Sequence, residues 1–416
     1  MLPYPLALIE QLSLATESRI LLVVLDGVGD LPRGTQTPLA AALTPNLDRL
    51  AAESALGLST VVVPGISPGS GPGHLSLFGY DPLIYQVGRG VLSGLGLGLE
   101  LGPDQIAVRG NFATLAADGT IADRRAGRIP TTLNNRLISS LKADIEEIEG
   151  VKIDLYTEAE YRFVLVLTGR RLGDSVTETD PGAVGELPLP AQATTSDAAD
   201  RRTAAVLTAF AARAAGVLAG QAEARRAESP VNAVLLRGIG KKPELPDMRK
   251  ICRLRAGSVA AYPMYRGVSR LVGMQCLPMS LEGTGERTAN KMAAYRAHAA
   301  DYELIYFHVK KTDSCGEDGD FAGKTEQIEL FDEIVPGLLE WEPDVVLITG
   351  DHSTPVALQA HSWHPLPVML WSRYGRPDRR RFTESECLGG SLGRIRHLDL
   401  MPLAMAHARK LKKFGA

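Results

Sequence analysis

Three stretches of this 416-residue chain are apolar at nearly every position and then turn abruptly polar: RILLVVLDGVGD (19–30), YELIYFHVKKTD (302–313) and PDVVLITGDHSTP (343–355). Unbroken Val, Ile and Leu suit strands buried on both faces, as in a parallel sheet covered by helices on either side. LPVMLWS (366–372) reads as a fourth strand of the same kind. Helical patterns alternate with them. TPNLDRLAAESA (44–55) starts with Thr44 as N-cap and Pro45 at the first helical position, a good helix start. ERTANKMAAYRAHAA (286–300) and KTEQIELFDEIVPGLLEW (324–341) are amphipathic. The alternation predicts an α/β sandwich around a mostly parallel central sheet.

The middle of the chain follows another pattern. From about residue 90 to 260, strand-like pieces such as IAVRGNFATLA (106–116), YRFVLVLTG (161–169) and VNAVLLRGI (231–239) flank an alanine-rich helix at 198–224 and a loose stretch at 180–197. The eight histidines, His74, His298, His308, His352, His361, His364, His397 and His407, all avoid the span between 75 and 297. The expected organisation is a discontinuous α/β core, 1–85 and 265–416, interrupted by an inserted α+β domain, 86–264. Its joints, DPLIYQVGRG (81–90) and RAGSVAAYP (255–263), carry the Gly and Pro of hinges.

Composition narrows the class. With 45% hydrophobic and 22% charged residues the chain can bury a sizeable core. A formal charge of −3 gives no broad electrostatic reason to expect nucleic acid or an anionic membrane as partner. No continuous apolar run reaches the roughly 18–20 residues that cross a bilayer, and the N-terminus reads poorly as a signal peptide. Cys252, Cys276, Cys315 and Cys387 lie far apart without a CxxC pair. That argues against a zinc ribbon or a disulfide framework and suits a reducing, cytoplasmic setting. The oligomeric state is left open.

Ligands of open α/β sheets collect beyond the carboxyl ends of the strands. There the first strand brings Asp26, the second Asp313 and the third Asp351 and His352, with His361 in the loop before the fourth. Three carboxylates and two imidazoles make a mixed oxygen and nitrogen set suited to Zn²⁺, Mn²⁺ or a similar ion, and large enough for two. An isolated Asp after a strand is usually only a turn cap; the joint pattern is what points to metal. VPGISPGSGPGHLSLFGYDP (63–82) crowds Gly and Pro around Ser67, Ser70 and Ser76. A serine there could be structural, satisfying a turn. Held against a divalent cation, it becomes a strong nucleophile.

Together, LDGVGD, TPNLDRLA, SPGSGPGHLSLFGYDP, VRGNFAT, DRRAGR, TGDHSTP and DLMPLAMA resemble, in order and over nearly the whole chain, the cofactor-independent phosphoglycerate mutases of the archaeal-type branch, in the alkaline phosphatase superfamily. The resemblance implies an alkaline-phosphatase-like fold with the insertion as a lid, and two divalent ions, Mn²⁺ first, with Mg²⁺, Co²⁺ or Zn²⁺ as others. It makes Ser70 the phosphorylated nucleophile, because Ser-x-x-Gly-His is met by Ser70, Gly73 and His74. Asp26, Ser70, Asp351 and His352 would then hold one ion, and Asp313 and His361 the second. His361 is preferred to His364 because it opens HSWHPLP. One position departs: DSCGED puts Glu317 where relatives carry histidine. Glutamate is a harder donor, which favours Mn²⁺ or Mg²⁺ over Zn²⁺; the alternative is a solvated acid, with Asp318 or Asp320 as its substitute. The insertion also lacks the substrate-contacting histidine of the bacterial and plant branch.

The implied substrate is phosphoglycerate, whose phosphate and carboxylate call for arginines. Candidates are Arg124, Arg125 and Arg128 in ADRRAGR, Arg266 and Arg270 on one helix face, and, by resemblance, Lys291. Asp123 would orient an arginine or meet substrate hydroxyls. The implied reaction passes the phosphoryl group from 3-phosphoglycerate to Ser70 and back to the other hydroxyl of glycerate, under a lid that excludes water. Alternatives sharing the metal core are a phosphatase, a phosphonate hydrolase or a sugar-phosphate mutase. A further alternative is a non-catalytic metal- or phosphometabolite-binding relative.

Overall fold

The computed structural model describes residues 3–280 and 288–415. Residues 286–287 of the anticipated 286–300 helix lie outside that range; its described part runs Thr288–His298. The chain divides into two compact units, 1–86 with 245–416, and 87–244.

The first unit is built on an eight-stranded sheet. Its strands in chain order are β1 (Ile20–Leu25), β2 (Ala55–Thr60), β3 (Ala256–Val259), β4 (Gln275–Cys276), β5 (Leu304–Val309), β6 (Val345–Thr349), β7 (Leu366–Ser372) and β8 (Gly393–Arg396). Across the sheet they run β4-β3-β5-β1-β6-β7-β2-β8. The β3 strand pairs parallel with β5, from Leu304↔Ala256 to Phe307↔Val259. The chain therefore rejoins this unit at Leu245, earlier than the anticipated residue 265.

The fourth apolar run, β7, is antiparallel to both β6 and β2, where a strand of the parallel set was expected. The cause is the connection. Parallel neighbours need a crossover, usually a helix, and residues 350–365 contain none. The chain instead turns back at the edge where β6 ends, and Asp351, His352 and His361 stay there.

Strand β1 is fully buried. One of its faces sends Leu21, Val23 and Leu25 into a core with Leu47, Leu50, Phe331 and Val335. Ile20, Leu22 and Val24 on the other are equally covered, as a sheet sandwiched between helices requires.

The second unit is an antiparallel sheet. Its long strand Gln105–Leu115 pairs with Arg162–Thr168 and Ala233–Gly240, and Val151–Ala159 extends it. Thr131–Asp144 and Ala198–Gly220 are its long helices. By length and composition Ala198–Gly220 could cross a bilayer, although no such stretch was expected. Here it lays Val206, Leu207, Phe210, Ala214 and Leu218 into the unit's core.

Candidate metal and nucleophile centre

Ser70 opens helix α1 (Ser70–Leu77), with Gly69 as N-cap. The free N–H groups of a helix start favour an anion. Of the three serines, Ser76 donates to Val61 O and Ser67 lies exposed. Ser70 is 6% exposed, and its Oγ lies 3.1 Å from His352 Nε2. The helix reaches this position because Gly73 has no side chain: a Cβ there would come within 2.2 Å of Asp351 O.

Hydrogen bonds orient both imidazoles. Thr354 donates its hydroxyl proton to Asp313 Oδ1 at 2.7 Å, so it accepts from His352 Nδ1 at 3.0 Å. His352 Nε2 is then left as a lone pair aimed at Ser70, 3.3 Å from Asp26 Oδ1 and 3.2 Å from Asp351 Oδ2. Likewise His361 Nδ1 donates to Pro68 O at 3.1 Å, leaving Nε2 to face Asp313 Oδ1 at 3.6 Å. The two rings stack with centroids 3.6 Å apart. Such outer hydrogen bonds prepare a histidine to ligate metal.

The carboxylates divide their oxygens. Asp351 Oδ1 accepts Gly27 N–H, and Gly27 holds its turn at φ +63°. Asp351 Oδ2 and Asp26 Oδ1 are buried and have no hydrogen-bond partner among the described residues. An orphaned buried carboxylate oxygen is costly. Ligand atoms about 2.1 Å from a shared ion sit roughly 3–3.4 Å apart. The two oxygens, His352 Nε2 and Ser70 Oγ have that spacing around Nε2, so the residues present fit a divalent cation. A second group of donors, Asp313, His352 and His361, lies beside the first.

Titration reflects crowding. Burial, and then the neighbouring Asp26 carboxylate, hold Asp351 well above the usual carboxylate range. Asp313 is raised by the same two causes. Burial would also raise Asp26, but Lys310 and His308 outweigh it and hold Asp26 well below its usual value. Burial keeps His352 neutral, its pKa far below the ordinary value despite Asp26. Close like charges cannot all ionise without countercharge.

Glu317 lies one turn beyond Asp313 on helix α2 (Lys311–Glu317), which starts two residues before Asp313. Its side chain is 55% exposed and Oε1 is 3.9 Å from His361 Nε2. Asp320 instead caps the next helix through Gly323 N–H, and Asp318 is exposed.

The expected anion contacts are dispersed. In the first unit, Arg266 donates weakly to Ala260 O at 3.4 Å and Arg270 is exposed. Lys291 is only 3% exposed and donates to His308 O at 3.0 Å. In the second unit, Asp123 accepts Arg125 N–H and Gly127 N–H, bracing a turn in which Ala126, Gly127 and Arg128 all have positive φ. The Arg124 guanidinium is taken by Asp180 at 2.8 and 2.9 Å, while Arg125 and Arg128 are exposed.

Sequence reading missed Tyr265, Lys310 and Thr354. Tyr265 donates to Asp26 Oδ2 and immediately precedes Arg266 on the helix Pro263–Leu271. Lys310 precedes Asp313 by three residues, and its Nζ is 3.3 Å from Asp313 Oδ2.

Comparison with known proteins places this centre in context. Residues 51–222 match the family model for 2,3-bisphosphoglycerate-independent phosphoglycerate mutase. A probable enzyme of that name from Thermus thermophilus is 52% identical over 411 residues, 98% of each chain. The solved PH0037 protein from Pyrococcus horikoshii superposes with TM-score 0.81 at 30% identity, covering 96% of this chain and 99% of that one. The cofactor-independent phosphoglycerate mutase from Thermoplasma acidophilum gives 0.65 at 29% identity, covering 94% and 100%. Identity of this depth over almost the full length means that the chain belongs to the 2,3-bisphosphoglycerate-independent phosphoglycerate mutase family.

Proposed function

We propose that this protein interconverts 3-phosphoglycerate and 2-phosphoglycerate through phosphorylated Ser70. The observation that carries the reading is Ser70 Oγ at 3.1 Å from the unprotonated His352 Nε2, beside two orphaned carboxylate oxygens. Asp26, Asp351, His352 and Ser70 would hold one Mn²⁺, and Asp313, Glu317 and His361 a second. Bound divalent ions neutralise charge on the phosphoryl oxygens and acidify the serine hydroxyl.

The chain's own groups supply position. Helix α1 presents Ser70 Oγ to the phosphorus: the Oγ–P bond forms as the bond between phosphorus and the C3 oxygen breaks, and that oxygen leaves as the glycerate hydroxyl with the proton Ser70 gives up. In the return step the C2 hydroxyl takes the phosphoryl group and Ser70 is restored, so proton and phosphate balance over the cycle. Arg266 and Arg270 are assigned to the carboxylate of glycerate while it turns; Arg125 and Arg128, exposed in the inserted unit, stay candidates for the same group. Asp123 is assigned to bracing that arginine turn, and Arg124 is committed to Asp180.

The test is mass spectrometry after incubation with 3-phosphoglycerate and Mn²⁺. A phosphoryl adduct (about 80 daltons, one such group by the covalent scheme) on wild type but not on Ser70→Ala is expected, together with 2-phosphoglycerate in a coupled enolase assay. Free phosphate as the main product would instead identify a hydrolase.

A further inference from the structure

Strands β1 and β5 pair in parallel with Leu25 opposite Val309. The next residues, Asp26 and Lys310, therefore emerge side by side, with Asp26 N–H bonded to Val309 O at 2.9 Å. Lys310 Nζ lies 3.6 Å from Asp26 Oδ2 and 3.3 Å from Asp313 Oδ2. These are the outer oxygens. Asp26 Oδ1 faces His352 Nε2, and Asp313 Oδ1 faces His361 Nε2. Asp26 and Asp313 fall in different candidate ligand groups, one with Asp351 and the other with His361. The ammonium is held in place by the rings of Tyr262 and Tyr265, 5.5 and 5.6 Å away, a favourable arrangement for a cation over aromatic faces.

We propose that Lys310 is a positioning residue: its single ammonium straps the outer oxygens of Asp26 and Asp313, so that the inner oxygen of each faces its own cation seat. This rests on the metal reading of the centre. A carboxylate rotates about its terminal torsion, and a loose one presents its oxygens to an ion only part of the time. Fixing two carboxylates through one charge also links the two seats, because any rotation at Asp26 loosens the hold on Asp313. Tyr265 reinforces Asp26 through the same Oδ2. Groups that orient metal ligands from behind typically govern affinity by 10–100-fold.

The geometry also defines the rival reading. If the ammonium were merely a countercharge that cations displace, its removal would tighten metal binding. The experiment is calorimetric titration of metal-free protein with Mn²⁺, for wild type, Lys310→Met, Lys310→Arg and Lys311→Met. Lys311 is exposed and one residue away, so it controls for the loss of one charge. Lys310→Met is expected to weaken Mn²⁺ binding at both seats by about 10–100-fold, Lys310→Arg to restore most of it, and Lys311→Met to match wild type. Turnover of Lys310→Met should recover as Mn²⁺ is raised, since affinity is what was lost. Unchanged or tighter binding in Lys310→Met would overturn the strap. Wild type that takes up no Mn²⁺ would overturn the metal reading itself. Should Lys310→Met fail to fold by circular dichroism, Lys310→Gln is read against the same outcomes.

Discussion

Two buried acids follow strand β1 four residues apart, and they make opposite bargains with the protein. Asp30 is satisfied on every side: Oδ1 accepts Leu31 N–H, Val356 N–H approaches both oxygens, and Oδ2 receives Lys324 Nζ at 2.7 Å. Lys324 is itself fully buried and spends its remaining protons on Gly27 O and Thr354 O. Asp26, equally buried, has no donor at Oδ1 among the described residues, and Asp351 has none at Oδ2. Burial of a carboxylate therefore says little about role. The count of its partners separates a structural acid from one that awaits a ligand.

The sharpest way to break this contrast is to neutralise one acid of the unsatisfied set. Asp351→Asn keeps an acceptor for Gly27 N–H and removes the charge. Activity should fall by more than about 10³-fold, several kcal/mol of charge stabilisation at the reacting phosphoryl group. Thermal unfolding of the metal-free variant should show no loss of stability, because a crowded carboxyl whose ionisation burial and Asp26 oppose has been replaced by a neutral amide. A large drop in that midpoint would mean Asp351 is structural after all.

On the satisfied side the sign reverses. Lys324→Met removes the cation and strands Asp30 in the interior. Breaking a buried pair this way costs about 3–5 kcal/mol, to be read from urea unfolding of metal-free protein. A loss under about 1 kcal/mol, the range of exposed pairs, would show that Asp30 does not depend on Lys324.

Why could sequence find one of these sets and not the other? Asp26, Asp313, Asp351 and His352 each follow or close a run of apolar residues, and strand ends converge in a parallel sheet whatever the details. Ser70 stood out because Gly and Pro bracket it. The Asp30–Lys324–Glu384 set joins a loop and two helices, Lys324 meeting the Asp30 carboxylate and Glu384 accepting the Asp30 N–H, and no periodicity marks such a meeting. Tyr265 and Lys310 were hidden differently. Their positions depend on the β1–β5 register and on which way a helix faces, both of which are tertiary. The reversal of β7 was likewise invisible in its residues, since the missing crossover helix before it, not its own pattern, sets its direction.

Glu384 offers the finest test, because it ties the satisfied set to pH. Its Oε1 accepts Asp30 N–H at 3.2 Å and its Oε2 accepts the Thr37 hydroxyl at 2.6 Å. Burial nevertheless pushes its pKa up to about 7, with Asp30 adding to the rise and the Thr37 hydrogen bond and Lys324 opposing it. The folded protein thus keeps a proton that the unfolded chain releases near the ordinary glutamate value. Stability from this group is fully present below about pH 4.5 and declines as pH rises through about 7. Because the residue is only partly buried, the decline should amount to about 1–2 kcal/mol, less than the full shift would give. Glu384→Gln, which cannot titrate, should lose this component: the difference in unfolding free energy between variant and wild type should grow in the variant's favour from about pH 5 to about pH 8. Parallel pH profiles for the two proteins would place the proton elsewhere.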